Sequence, residues 1–266
     1  MQQRTSIVLA NVLGFAAAAG LAGCGTMDAL PGVDTTARLS DKSACTDAPA
    51  PQDAGTLFVL VWDGGFSTQT GDAELAPFDV STLRFSDGTA LTADLPSHFE
   101  HDVLARIQTI LCDLQPADIT VVADKAEAWP DATIVHITGD APFSGGKHIG
   151  QSDFDPCNAH PDDAAVIWGG ALATRMPPLA YDQWVNVIAN TTAHEIGHTL
   201  GFTHPSEESV ARMLPQPSEE IMRANVKPAE LAGLQYFLLQ QETCPGEAPG
   251  AGSYASLAVD ATPLGG

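Results

Sequence analysis

Hydrophobic and polar positions follow two periods along this chain, and each period predicts one kind of element. Short apolar runs rich in β-branched residues predict buried strands at 56–62, 118–123, 132–139 and 164–171. Apolar residues at helical spacing predict helices over 97–114, 182–202 and 228–241, with Ser97 as the N-cap of the first. The order of these elements predicts an α/β domain in which helices pack on a mostly parallel sheet.

The two ends of the chain lack this periodicity. Residues 1–23 carry Arg4 followed by an apolar run, which is typical of a signal peptide and is too short to span a bilayer. Residues 24–54 are polar and interrupted by Pro and Gly, which predicts a linker, and residues 246–266 have the same character and predict a flexible tail. One folded domain is therefore expected at 55–245.

The sequence LAGC, which ends at Cys24, resembles the lipobox of bacterial lipoproteins. The resemblance implies that the preceding peptide is removed, that Cys24 receives lipid, and that the protein is anchored in the cell envelope. Gly25 follows the cysteine, and by resemblance to lipoprotein sorting this favours the outer membrane or the cell surface. The alternative is an ordinary cleaved signal peptide that happens to end beside a cysteine.

The composition is strongly acidic. The chain has 11 Lys and Arg against 33 Asp and Glu, a formal net charge of -22, which argues against nucleic acid as a partner. Such acidity is typical of a protein that stays soluble outside the cytoplasm, and the alternative is that some carboxylates bind calcium. The candidate calcium loop, 152–163, lacks EF-hand spacing and carries the oxygen donors Asp153, Asp155, Asn158, Asp162 and Asp163.

Four cysteines remain if Cys24 is lipidated. They are Cys45, Cys112, Cys157 and Cys244. An even number in an exported chain predicts two disulfides, and all three possible connectivities stay open. Because these cysteines are far apart and form no C-x-x-C pair, a cysteine zinc site is disfavoured.

The stretch AHEIGHTLGFTH contains three of the eight histidines of the chain. On a helix, His194 and His198 lie one turn apart on the same face and can bind one metal ion, while Glu195 can reach a water on that metal without being a ligand. Gly201 can end the helix in a sharp turn, so that His204 returns as a third ligand. Three neutral imidazoles leave one coordination position open, which is typical of a catalytic zinc site.

HEIGHTLGFTH resembles the zinc-binding sequence of the metzincin metallopeptidases, and the flanking segments resemble bacterial secreted relatives of the matrixins. The resemblance implies a zincin fold: a twisted sheet of about five strands, an active-site helix and a small C-terminal subdomain. It also implies a Met-turn beneath the metal, for which Met222 is favoured and Met213 is the alternative. In that family one edge strand of the sheet pairs with extended substrate, and order along the chain places this edge near 146–152.

The resulting hypothesis is a monomeric, lipid-anchored zinc endopeptidase that acts on protein or peptide substrates with one catalytic Zn²⁺. His194, His198 and His204 are its expected metal ligands, and Glu195 is its expected general base. The alternative is a non-catalytic lipoprotein that uses a metzincin fold to bind a peptide or a partner. The presence of Glu195 argues against that alternative, because a binding protein needs no base.

Overall fold

The structure is a computed structural model that describes most of the central region. It covers residues 56–237, except for 63, 65, 69–70, 74, 112–113, 115–118, 126–127, 130, 141–147, 156–162 and 215–216, and two short strands at 253–255 and 258–259. The predicted signal peptide, the linker, Cys24 and the four other cysteines lie outside the described residues. No helix among the described residues has both the length and the apolar character needed to cross a bilayer.

The strands of the described region are β1 (Thr56–Val61), β2 (Phe66–Thr68), β3 (Gly71–Ala73), β4 (Ile119–Ala123), β5 (Thr133–Thr138), β6 (Gly150–Phe154), β7 (Ala164–Trp168), β8 (Asn225–Val226), β9 (Ser253–Ala255) and β10 (Ala258–Val259). The central sheet has the order β4-β1-β5-β7-β6-β9. The pairs between β4, β1, β5 and β7 are parallel, whereas β6 is antiparallel to both of its neighbours. The predicted α/β architecture with a mostly parallel sheet of about five strands is therefore confirmed, and β9 adds a sixth strand.

The helices are α1 (Leu95–Leu111), α2 (Gly169–Arg175), α3 (Tyr181–Thr199), α4 (Glu207–Met213) and α5 (Pro228–Leu231). Helices α1 and α3 pack against each other, and α3 also lies against β6 and β7. Side chains of β1 alternate between the two faces of the sheet: Phe58 and Leu60 join the main core with α1 and α3, while Val59 and Val61 pack in a separate cluster. The sheet therefore buries apolar residues on both faces and holds α3 firmly on one of them.

The prediction that Ser97 caps α1 is wrong. The helix begins at Leu95, and the hydroxyl of Ser97 donates to the carbonyl oxygen of Asp94 at 2.9 Å from inside the first turn. Pro96 is accepted in this turn because the first helical residues need no backbone N–H donor.

The prediction of a final helix over 228–241 is also wrong over 232–237, because α5 ends at Leu231, and residues 238–241 lie outside the described part of the chain. The amide of Asn190 in α3 donates to the carbonyl oxygens of Leu231 and Gly233, both at 2.8 Å, and so provides partners for carbonyls at the end of α5. After this end the chain forms a bridge between Tyr236 and Glu220 instead of another helical turn. Tertiary hydrogen bonds thus override the helical spacing of the apolar residues in this segment.

Candidate metal centre

Helix α3 carries most of the candidate site and is buried along nearly its whole length. Every residue from Trp184 to Thr199 is buried, because the sheet covers one side of the helix and the C-terminal part of the domain covers the other. On the second side the amide of Asn186 donates to the carbonyl oxygen of Ala232 at 3.0 Å. Polar side chains of this helix therefore lie in a desolvated environment, where electrostatic interactions are strong.

Three imidazole rings meet beside the C-terminal end of α3. The Nε2 atom of His198 lies 3.0 Å from the Nε2 atom of His194 and 3.0 Å from that of His204, and the third side of this triangle measures 3.1 Å. The structure therefore brings together the three histidines that the sequence predicts as ligands. Within the described residues they are the one group of three or more His, Cys, Asp or Glu side chains with converging ligand atoms.

Backbone carbonyls determine the tautomers of two of these rings. The Nδ1 atom of His194 lies 2.6 Å from the carbonyl oxygen of Ile221, and that of His198 lies 2.7 Å from the carbonyl oxygen of Phe202. A carbonyl oxygen only accepts, so in the neutral ring each Nδ1 carries the proton and each Nε2 a lone pair. The lone pairs of His194 and His198 consequently face each other at 3.0 Å, where no proton lies between them to form a hydrogen bond.

This arrangement fits a bound cation. Ligand nitrogens of tetrahedral zinc, at Zn–N distances of about 2.0–2.1 Å, lie roughly 3.3 Å apart. The observed separations of 3.0–3.1 Å are close to this value. Lone pairs that point at one another repel unless a positive ion lies among them, so the donor set and its spacing are compatible with zinc.

The protonation states of the three rings also favour metal binding. Burial lowers the pKa of His194 well below its usual value, and the positive charges that His198 and His204 can carry lower it further. Burial, with the neighbouring His204, lowers the pKa of His198 from 6.5 to about 3, and burial also lowers the pKa of His204. All three imidazoles are therefore neutral near pH 7, which is the form that binds metal.

The turn after α3 places the third histidine. Gly201 has φ of 86°, a left-handed conformation that glycine adopts without strain. The N–H of Gly201 donates to the carbonyl oxygen of His198 at 2.9 Å, and the N–H of Phe202 donates to that of Gly197 at 2.8 Å, which together form a Schellman motif. The same turn aims the carbonyl of Phe202 at His198 and returns the chain so that His204 meets His194 and His198.

Glu195 is held by the strand β6. The carboxylate of Glu195 is fully buried, and its Oε2 atom accepts a hydrogen bond from the hydroxyl of Ser152 at 2.7 Å. Gly150 permits this close approach, since a Cβ atom at that position would lie 2.8 Å from Cδ of Glu195. The sequence carries no signal for this role of Ser152, because a contact between residues 43 positions apart leaves no local pattern.

Met222 lies under the helix that carries the ligands. Its side chain is fully buried, and a Cβ atom added to Gly197 would lie 2.6 Å from its Sδ atom. The neighbouring carbonyl of Ile221 orients His194. The turn that contains Ile221 and Met222 therefore contacts the site at two residues, His194 and Gly197. Met213, the alternative, is the last residue of α4, and its side chain is outside the described part of the structure.

Replacing Gly197 by alanine is expected to lower the stability of the metal-free protein by roughly 1–3 kcal/mol. The new methyl group would overlap Met222 and would lie 2.9 Å from a ring carbon of Phe237, and all of these neighbours are fully buried. Chemical denaturation of the metal-free variant measures the change. The double variant Gly197→Ala with Met222→Ala serves as the control, because removal of the methionine side chain makes room for the new methyl group. If the loss of stability in the double variant equalled the sum of the losses in the two single variants, the predicted overlap would be contradicted.

The candidate calcium loop is described only in part. Asp153, Asp155 and Asp163 are buried, and the carboxylate of Asp153 accepts a hydrogen bond from the backbone N–H of Ala164 at 3.2 Å. Asn158 and Asp162 lie outside the described residues. Calcium binding by this loop therefore stays a prediction, whereas the histidine cluster is a formed donor set.

Comparison with known proteins adds no family to these observations: no family model, no curated protein and no solved structure matches this chain.

Proposed function

We propose that this protein is a zinc-dependent endopeptidase. The observation that carries the proposal is the triangle of Nε2 atoms from His194, His198 and His204, with separations of 3.0–3.1 Å, on the helix that also carries the buried Glu195. A purely structural zinc site uses four protein ligands, whereas three histidines leave a position for water or substrate. Glu195 follows His194 directly in the helix and is well placed to exchange protons with a group at that position.

When bound, Zn²⁺ supplies a Lewis acid that lowers the pKa of a coordinated water to about 7 and polarises a substrate carbonyl. Glu195 accepts a proton from the attacking water and later donates it to the leaving amine. Ser152 holds one carboxylate oxygen at 2.7 Å and so fixes the orientation of the base. Burial of Glu195 excludes bulk water, which would otherwise compete for these protons.

We propose further that the domain has the metzincin arrangement and that Met222, rather than Met213, is its Met-turn residue. Three features support this: the helix that ends at a left-handed Gly201, the return of His204 to the other two histidines, and the contact of Met222 with Gly197. Extended peptides would bind along β6, which is the edge of the sheet formed by the five strands before α3.

Removal of metal is expected to abolish peptide hydrolysis by the purified protein. The test measures zinc per chain together with cleavage of casein, an unfolded substrate, before and after treatment with 1,10-phenanthroline, and again after Zn²⁺ is restored. Because the rings are neutral near pH 7, added zinc should rebind and activity should return. A chain that binds no zinc would contradict the proposal outright. Tightly bound zinc without cleavage of any member of a peptide library would favour a binding protein instead.

A further inference from the structure

Two short strands from the C-terminal region pair with β6 and β8. Strand β9 is antiparallel to β6, with Ser253 opposite Phe154, Tyr254 opposite Asp153 and Ala255 opposite Ser152. Strand β10 is parallel to β8, with Ala258 opposite Asn225 and Val259 opposite Val226. The composition of residues 246–266, rich in small residues and loop formers, gave no signal for these strands.

The strand β6 is one border of the site. It carries Ser152, which binds the carboxylate of Glu195, and the ring of Phe154 lies edge-on to that of His198 with centroids 6.3 Å apart. The backbone N–H of Asp155, just after β6, donates to the carbonyl oxygen of His198 at 3.3 Å. The backbone edge of β6 that faces away from β7 pairs with β9, so the edge expected to receive substrate already has an occupant.

The strand β8 follows the second segment of the chain that contacts the site. It begins at Asn225, shortly after the turn in which Ile221 orients His194 and Met222 contacts Gly197. Val226 is buried in the main core, so β8 is anchored to the domain.

Only a short length of chain separates the residues that pair with β6 from those that pair with β8. Three Cα–Cα steps join Ala255 of β9 to Ala258 of β10, and three steps of 3.8 Å reach at most about 11 Å. A segment that pairs with β6 at one end and with β8 at the other must therefore bridge β6 and β8 directly. Strand β6 contacts Glu195 and His198, and β8 follows the turn that contacts His194 and Gly197.

We propose that the C-terminal segment bearing β9 and β10 occupies the peptide-binding cleft of its own domain and competes with incoming substrate. The inference rests on the proposed function, and it concerns the regulation of the same site. An edge strand has one free row of backbone donors and acceptors, so β9 and an extended substrate cannot pair with the same residues of β6 together. Attachment to the same chain gives the segment an effective concentration on the order of 1 mM, which makes it a persistent competitor even if its intrinsic affinity is weak.

Truncation of the chain after Gly252 tests the proposal. This form lacks β9 and β10 but retains Cys244, and its KM for a quenched fluorescent peptide is expected to be lower by on the order of 10-fold. A truncation after Asp260 is the matched control, because it removes the end of the chain but leaves both strands, and its KM should equal that of the full-length protein. A fluorescein-labelled peptide of residues 250–261, followed by anisotropy, should bind the form ending at Gly252 and not the full-length chain.

A second variant keeps the whole chain. Successive N–H groups in a strand point to opposite sides, so one of Tyr254 and Ala255 donates to β6, and the double variant Tyr254→Pro with Ala255→Pro removes that donor. It should lower KM as the truncation does. Equal KM values and equal peptide binding in all forms would overturn the inference and leave the proposed function intact. Peptide binding by the shortened form, with zinc bound but no cleavage by any form, would support occupation of the cleft and overturn the peptidase function.

Discussion

Replacing Glu195 by glutamine is expected to reduce kcat/KM for peptide cleavage by roughly 10²–10⁴-fold, while the zinc content of the protein stays unchanged. The amide has nearly the same shape as the carboxylate, and its oxygen can still accept the hydrogen bond from Ser152. It cannot take a proton from water, so the chemical step fails although the metal site is intact. The measurement combines steady-state kinetics on a quenched peptide with metal analysis of the same preparation.

Glu208 provides the matched control for this experiment. It is an exposed glutamate of α4, and Glu208→Gln should leave both kcat/KM and zinc content at the level of the parent protein. The form truncated after Gly252 is the better background for both variants, because cleavage is then measured without competition from β9. Undiminished turnover in Glu195→Gln would rule out this residue as the general base.

Replacing His204 by alanine is expected to weaken zinc binding by at least ~100-fold, since loss of groups that merely orient metal ligands already costs about 10–100-fold. The Nε2 atom of His204 completes the triangle with His194 and His198, and two histidines alone leave the ion with half of a tetrahedral shell. Competition with a fluorescent chelator of known affinity measures the loss. Peptide cleavage should fall with zinc occupancy.

The control for this variant is His98→Ala. His98 lies on α1 with 71% of its side chain exposed, away from the histidine cluster, so its removal should not change zinc affinity. Thermal unfolding of the metal-free proteins shows whether His204→Ala retains the fold. If the folded variant bound zinc as tightly as the parent protein, His204 would not be a ligand and the three-imidazole site would be refuted.

The ligand set was predictable from sequence because its geometry is almost entirely local. His194 and His198 are four residues apart on one helix, and the left-handed conformation of Gly201 supplies the turn that returns His204. The spacing of these residues alone predicts that their ring nitrogens converge. The helix and the turn carry all three rings, whose Nε2 atoms lie within 3.1 Å of one another.

The groups that orient His194 and Glu195 were not predictable in the same way. The carbonyl of Ile221 and the hydroxyl of Ser152 reach the site from other elements, 27 and 43 residues away from their partners in the chain. A backbone carbonyl has no sequence signature, and one serine resembles any other. These contacts depend on how β6 and the turn before β8 pack on α3, which is a property of the whole fold.

The errors in the predicted bounds of helices and strands also arise from contacts between residues distant in sequence. The apolar spacing over 228–241 is helical, yet α5 ends at Leu231, where asparagines of α3 bind its last carbonyls. The strand β6 contains Gly150, Gln151, Ser152 and Asp153, which do not form an apolar run, so only the resemblance to a known family located an edge strand near this position. Partners distant in sequence decided both outcomes.

The two asparagines of α3 have a mechanical consequence. Asn186 and Asn190 are one turn apart, and their amides bind three successive carbonyl oxygens, those of Leu231, Ala232 and Gly233. The same helix carries His194 and His198 and lies against β6. Helix α3 therefore connects the histidine cluster directly to residues 231–233. If the helix shifted along its axis, the histidines and residues 231–233 would move together, and the spacing between them would be kept.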